Sequence, residues 1–177
     1  MNILISFADN NFEAGRPNGT LNNWSVDVVF ESMADRFENE AVFCLLNVEG
    51  LGNTMIAGEV KVEDIFKVMP FDNEIVAVKL PIEVLNEIAD YISASGGEPI
   101  SGATFSDNEI KITNYSEGSA YFWVITSDYL MNGGDNMKFF EKRTETIYLD
   151  ALMRDVMLKF AEKSDTLVWK DDKRIHF

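Results

Sequence analysis

Tyr129 and Asp135 stand six residues apart, on either side of the pair Gly133-Gly134, in Ser127-Asp128-Tyr129-Leu130-Met131-Asn132-Gly133-Gly134-Asp135. The tyrosine ring offers a flat apolar face that can cover a planar ligand. The carboxylate accepts hydrogen bonds and offers room for more than one donor. Adjacent glycines allow positive φ, so the chain can turn sharply and present that carboxylate on a loop. A plate beside an acceptor suits a nucleoside, with its base on the ring and its ribose hydroxyls on Asp135. The same residues also fit a glycine turn built around a core tyrosine, and residue types alone leave both readings open.

Other chemistries lack their parts. The single histidine, His176, is the penultimate residue, so a Ser-His-Asp triad would have to recruit the chain end. A metallohydrolase gathers several His and Asp ligands, and no such set is visible. Cys44 lies in the apolar run Ala41-Val42-Phe43-Cys44-Leu45-Leu46 and reads as a buried, inert thiol. Gly50-Leu51-Gly52 begins like a dinucleotide fingerprint but lacks its third glycine, and there is no Walker A sequence. Acidic pairs such as Glu63/Asp64 and Asp171/Asp172 read as solvated surface.

The 177 residues carry 30 acidic and 15 basic side chains, a formal net charge of −15. That field repels phosphate backbones and anionic membrane surfaces, which argues against nucleic acid and membrane partners. No apolar run approaches the roughly 18 residues of a membrane span. Met1-Asn2-Ile3-Leu4-Ile5-Ser6-Phe7 has no basic n-region. As written, the chain reads as cytoplasmic, or as periplasmic or extracellular with an export signal removed.

The elements that must position Tyr129 and Asp135 follow from hydrophobic periodicity. Strands are expected at 2–8, 41–46 and 74–80. A helix runs from Thr20 or Asn22, either of which could cap it, to Phe37. Leu21, Trp24, Val28, Met33 and Phe37 line its apolar side, with Asp27, Glu31, Asp35 and Glu38 mostly opposite. Lys61–Met69 reads as a short helix ended by Pro70, and Pro81 opens a helix over 82–93. Strand-like segments at about 100–105, 109–114 and 121–126 suggest an antiparallel meander. Leu149–Lys163 reads as an amphipathic helix, and strands at 166–169 and 174–177 close the chain across a turn. With no repeat or linker, residues 1–177 read as a single mixed, layered α/β domain.

Three separated stretches resemble one family. Glu59 to Asn73, closing in Pro70-Phe71-Asp72-Asn73, looks like a segment that ends in Pro-Phe-x-Asn. Thr126 to Asp135 resembles an aromatic-x-x-Asn-Gly-Gly-Asp loop. Arg16 followed by Leu21-Asn22-Asn23-Trp24-Ser25-Val26-Asp27 is similar to an Arg…Leu-Gly-Asn-Leu-x-x-Asp helix. In that order, these belong to the C-terminal domain of the 5′-nucleotidase family, the periplasmic UDP-sugar hydrolases and ecto-5′-nucleotidases. The resemblance runs from about residue 3 to Arg174-Ile175.

It implies a layered α/β/β/α substrate-binding unit. A separate metallophosphoesterase domain holds the two metal ions and performs hydrolysis, so this chain needs no cofactor of its own. Phe71 and Tyr129 would be the two rings that sandwich the base, and Asp135 the ribose acceptor. Asn47 and Gly50 on one loop, and Asn132, Gly133 and Gly134 on the other, fall among the substrate-binding positions. Arg16 matches an arginine on the phosphate side. One departure concerns phosphate: where the family has Asn-x-Gly-Gly-Ile-Arg, this chain has Asn47-Val48-Glu49-Gly50-Leu51-Gly52. The arginine is lost and a carboxylate gained, so phosphate binding should weaken.

Three functions fit these residues. The first is a non-catalytic nucleoside- or nucleotide-binding domain, acting alone or as the specificity half of a split 5′-nucleotidase with a metallophosphoesterase chain as partner. The second is an acidic protein-interaction module that has kept the fold and lost the ligand. The third is a stand-alone hydrolase, which the missing ligand set disfavours.

Overall fold

A computed structural model describes residues 2–177. The chain runs through β1 (Leu4–Ala8), α1 (Thr20–Met33), β2 (Val42–Leu45), β3 (Gly58–Lys61), α2 (Val62–Val68), β4 (Glu74–Pro81) and α3 (Val84–Ser95). It continues with β5 (Ile100–Ser101), β6 (Ala103–Ser106), β7 (Glu109–Ile112), β8 (Tyr121–Ser127), α4 (Asp128–Met131), β9 (Glu145–Leu152), α5 (Met153–Glu162) and β10 (Thr166–Leu167). Mixed helices and sheets are present, as the sequence predicts.

A five-stranded sheet of order β5-β2-β8-β4-β9 divides the core. Its three central strands are apolar on both faces, as strands covered on both sides must be. Val42, Cys44, Ile75, Ala77, Trp123 and Ile125 face α1, α2, α5 and the three-stranded sheet β10-β1-β3. Phe43, Leu45, Val76, Val78, Leu80, Phe122 and Val124 face α3 and the β6–β7 hairpin. The alternation along each strand is the period-2 pattern of a pleated backbone. Cys44 is fully buried, and that burial pushes its thiol well above its usual range.

The expected meander does not form. β6 and β7 make a two-stranded hairpin whose turn residues Asp107 and Asn108 take positive φ. β8 leaves that hairpin and enters the large sheet between β2, to which it is parallel, and β4, to which it is antiparallel. Its four consecutive buried apolar residues, Phe122 to Ile125, need cover on both faces, which a hairpin edge cannot give.

Other boundaries shift. The first four residues of the helix expected over 149–163 belong to β9, which bulges where Asp150 takes φ 54°. Pro81 ends β4 rather than opening α3. Thr20 and Asn22 do not cap α1. Thr20 Oγ1 accepts from Glu13 N at 3.0 Å, and the Asn22 amide bonds both backbone groups of Gly15, so both brace the preceding loop. The terminal hairpin is also absent: β10 pairs in parallel with β1, whereas Ile175 bridges to Phe105.

Asp27 is not on a solvent face. Only 8% exposed, it receives two bonds from Arg174, at 2.6 and 2.8 Å, and one from Ser101 at 2.7 Å. Burial alone would raise its pKa, but the bonds from Arg174 and Ser101 outweigh it and hold the carboxyl below its ordinary range. Asn18 then clasps the tail, accepting from the backbone N–H groups of Arg174 and Ile175, each at 2.9 Å.

Candidate functional site

Strand direction decides which loops meet. β2 and β8 run parallel, so the loops after Leu45 and after Ser127 leave the sheet at one edge. β4 runs antiparallel to β8 with Ile75 opposite Ser127, so the loop before Glu74 reaches the same edge. Three loops far apart in sequence, carrying Asn47, Phe71 and Tyr129, therefore converge at the carboxyl ends of two parallel strands, a common place for ligands in open α/β sheets.

The loop after β8 is braced by hydrogen bonds. Ser127 Oγ accepts from Leu130 N at 3.1 Å and starts the single turn of α4. Asp128 Oδ1 accepts from Tyr129 N at 2.9 Å and from Glu74 N at 3.1 Å, locking the turn to the start of β4. Gly133, at φ 95°, reverses the chain at the end of the turn, a conformation that favours glycine. Gly134 lies so close under the Tyr129 ring that a Cβ would collide with it.

Asp135 takes φ 51°, an uncommon conformation for a non-glycine residue, and three bonds hold it there. Its Oδ2 accepts from the Asn47 amide at 2.6 Å and its Oδ1 from the Tyr129 hydroxyl at 3.0 Å. Its carbonyl accepts from the Tyr91 hydroxyl at 2.7 Å. Burial, with the nearby carboxylates Glu98, Asp135 and Glu49, pushes the Tyr91 phenol up to about 12. Tyr91 thus stays a neutral donor at physiological pH.

Phe71 follows α2 on a short loop braced from α5. Arg154 pairs with Asp72, donates to the Met69 carbonyl at 3.4 Å and stacks over Phe66 with its guanidinium carbon 4.3 Å from the ring centre. Phe71 and Tyr129 stay 51% and 47% exposed. Between these loops lies a cavity of about 220 Å³ lined by Asn47, Glu49, Gly50, Phe71, Asn73, Tyr129 and Asp135. Two aromatic rings, two amides and two carboxylates form its wall, with no cation among them.

Of the nine residues singled out from the sequence, Asn47, Gly50, Phe71, Tyr129 and Asp135 line the cavity together. Gly134 backs the Tyr129 ring, Gly133 sets the turn, and the Asn132 amide turns away to the Asp128 carbonyl at 2.9 Å. Arg16 is not on the cavity wall. Its guanidinium bonds Glu98, Glu49 and the Gly97 carbonyl, so its charge is already met. Three participants are added. Asn73 is legible as the last residue of the Pro-Phe-x-Asn signature. Glu49 is visible as an added charge. Tyr91, on α3, carries no local signal at all.

Residues 5–88 match the sequence model of the family described as 5′-nucleotidase, C-terminal domain. Among solved structures, a 5′-nucleotidase precursor from Thermus thermophilus superposes over 99% of this chain with a TM-score of 0.80 at 16% identity. This is the fold of the 5′-nucleotidase C-terminal domain. An NAD nucleotidase from Haemophilus influenzae (TM-score 0.67, 14% identity, 98% of this chain) shares it. So does a Thermus thermophilus sulfate thiohydrolase (TM-score 0.65, 10% identity, 97% of this chain). The chain spans only 39%, 38% and 34% of those three proteins. No curated protein matches the chain. A 5′-nucleotidase C-terminal domain fold shared with a thiohydrolase does not itself fix a ligand, so the residues of the cavity must.

Proposed function

We propose that this 5′-nucleotidase C-terminal-like domain binds a nucleoside in the cavity between Phe71 and Tyr129 and performs no hydrolysis itself. The observation that carries this reading is the meeting of two half-exposed rings and one braced carboxylate on a single cavity wall. Exposed aromatic faces are costly to leave in water and gain most from a flat apolar ligand. The Asp135 oxygens each accept one protein bond, yet a carboxylate has about four acceptor positions, leaving capacity for two ribose hydroxyls. Asn73 adds an amide for the base edge. At about 220 Å³ the cavity is below the roughly 300–1,000 Å³ of drug-sized sites, so it suits a base with part of its sugar.

Among the described residues, no group of three or more His, Cys, Asp or Glu is placed to hold a metal ion. The metal-dependent step of a 5′-nucleotidase therefore does not fit this chain's residues, and in this reading it belongs to a metallophosphoesterase unit outside them. Calorimetric titration of adenosine into the protein, repeated with Phe71→Ala and Tyr129→Ala, tests the proposal. Saturable heat that weakens about tenfold or more in each variant supports it. The same negligible heat for all three proteins overturns it.

A further inference from the structure

Arg16 touches the cavity wall through Glu49 and already pairs with two carboxylates. Arg16 Nη2 lies 3.0 Å from Glu98 Oε2 and 2.8 Å from Glu49 Oε1, and its Nε donates to the Gly97 carbonyl at 2.9 Å. The two carboxylates differ in kind. The Glu98 side chain is 1% exposed and also accepts from Val48 N at 3.1 Å, so it is a fixed internal partner. The Glu49 side chain is 57% exposed, belongs to the cavity wall, and adds a second negative charge to a guanidinium that Glu98 already neutralises.

Building on the nucleoside reading, we infer that Glu49 is the charge filter of the cavity. Its carboxylate pairs with Arg16 Nη2 and sets a negative charge between that guanidinium and the cavity, so the site selects uncharged nucleosides over phosphorylated ones. Three observations carry this. Glu49 and Asp135 give the wall two carboxylates and no cation. The Arg16 charge is consumed by a buried and an exposed partner, of which only the exposed one can leave without stranding a buried charge. Gly52, two residues beyond Gly50, has no room for any side chain: a Cβ there would collide with the Lys67 carbonyl, so that position cannot supply a replacement cation. Negative charge also reaches Tyr91, where Glu98, Asp135 and Glu49 all act, after burial, to keep its phenol protonated.

The test compares wild type, Glu49→Gln and Glu49→Ala for adenosine and AMP by calorimetry, reading the ratio of the two affinities. The filter predicts that wild type favours adenosine, and that the ratio moves toward AMP by about 10- to 100-fold in Glu49→Ala, the range of a charge-assisted hydrogen bond gained and a repulsion lost. A ratio that moves less than about threefold overturns the inference. A second measurement does not depend on nucleoside binding: titration with inorganic phosphate, followed by NMR of the Arg16 Nε–H. It should leave wild type unmoved and shift Glu49→Ala saturably, and in Arg16→Met/Glu49→Ala, which lacks that proton, calorimetric titration with phosphate should show no saturable heat. An unmoved Arg16 signal in Glu49→Ala contradicts the filter. Silence toward adenosine with a phosphate response in Glu49→Ala refutes the nucleoside slot while upholding the role of Glu49.

Discussion

Asn47 and Asp135 lie 88 residues apart, and the amide of one donates a 2.6 Å hydrogen bond to the carboxylate of the other. That bond joins the loop after β2 to the loop after β8 across the mouth of the parallel strand pair. With the Tyr129 hydroxyl and the Tyr91 hydroxyl, it aims Asp135 before any ligand arrives. Preorganisation of this kind lowers the ordering cost of binding.

If Asp135 receives ribose hydroxyls, its removal must hurt only ligands that have them. Asp135→Ala should weaken adenosine by roughly 1.5–3 kcal/mol, the usual worth of hydrogen bonds to a charged group. It should leave 2′,3′-dideoxyadenosine within about threefold of wild type. Asn47→Ala should follow the same pattern more weakly, since it loosens the carboxylate without deleting it. Parallel titrations of the two nucleosides measure this, and equal losses for both would assign Asp135 a structural role.

Two glycines are held by space rather than by φ. A Cβ on Gly134 meets the Tyr129 ring, and one on Gly52 meets the backbone carbonyl of Lys67. Gly134→Ala should displace the ring and weaken adenosine severalfold at small cost in stability. Gly52→Ala strikes backbone, which cannot swing aside, and should cost about 1–3 kcal/mol as overpacking. At roughly 2–4 °C per kcal/mol for a chain of this size, thermal unfolding resolves the difference. Gly52→Arg should destabilise still more and restore no anion binding.

Asp27 and Arg174 tie α1 to the C-terminal tail through a largely buried ion pair. Breaking one partner of such a pair typically costs about 3–5 kcal/mol, so Asp27→Asn should lower the melting temperature markedly at neutral pH. Asp27 is held below its ordinary pKa, so its contribution is complete above that ordinary value, near pH 4, and drains away as pH falls through the lower folded-state value. The gap in melting temperature between wild type and Asp27→Asn should therefore be constant from neutral pH to about pH 5 and shrink below about pH 4. Glu98 acts with the opposite sign: burial raises its pKa, so the folded state takes up its proton first and acidification through that window stabilises the fold. Glu98→Gln should remove that gain.

The sequence reports some of this plainly and conceals the rest for identifiable reasons. Uninterrupted apolar runs at Val42–Leu45 and Phe122–Ile125 mark strands buried on both faces, and the same feature of β8 argues against the hairpin edge that its position in the chain suggests. Phe71, Tyr129 and Asp135 are legible because each sits in a short signature beside a turn. Tyr91 is not, because its contact with Asp135 depends on how α3 packs across the sheet, which periodicity does not encode. Helical spacing misplaces Asp27 because it assumes one solvent face, whereas α1 buries polar residues too, Asn23 and Asp27 under the tail and Asn22 against the preceding loop. The strand end at 149–152 mimics a helix since Leu149, Leu152, Met153 and Val156 also fit a 3.6-residue repeat.

Nuclear Overhauser contacts from bound adenosine measure most directly whether a base lies between Phe71 and Tyr129 with its sugar on Asp135. Contacts are expected from the adenine H2 and H8 protons to the ring protons of both Phe71 and Tyr129, with the ribose protons nearest the Asp135 loop. Saturable binding whose contacts fall wholly elsewhere, or on one ring with the other unmoved, would contradict that placement.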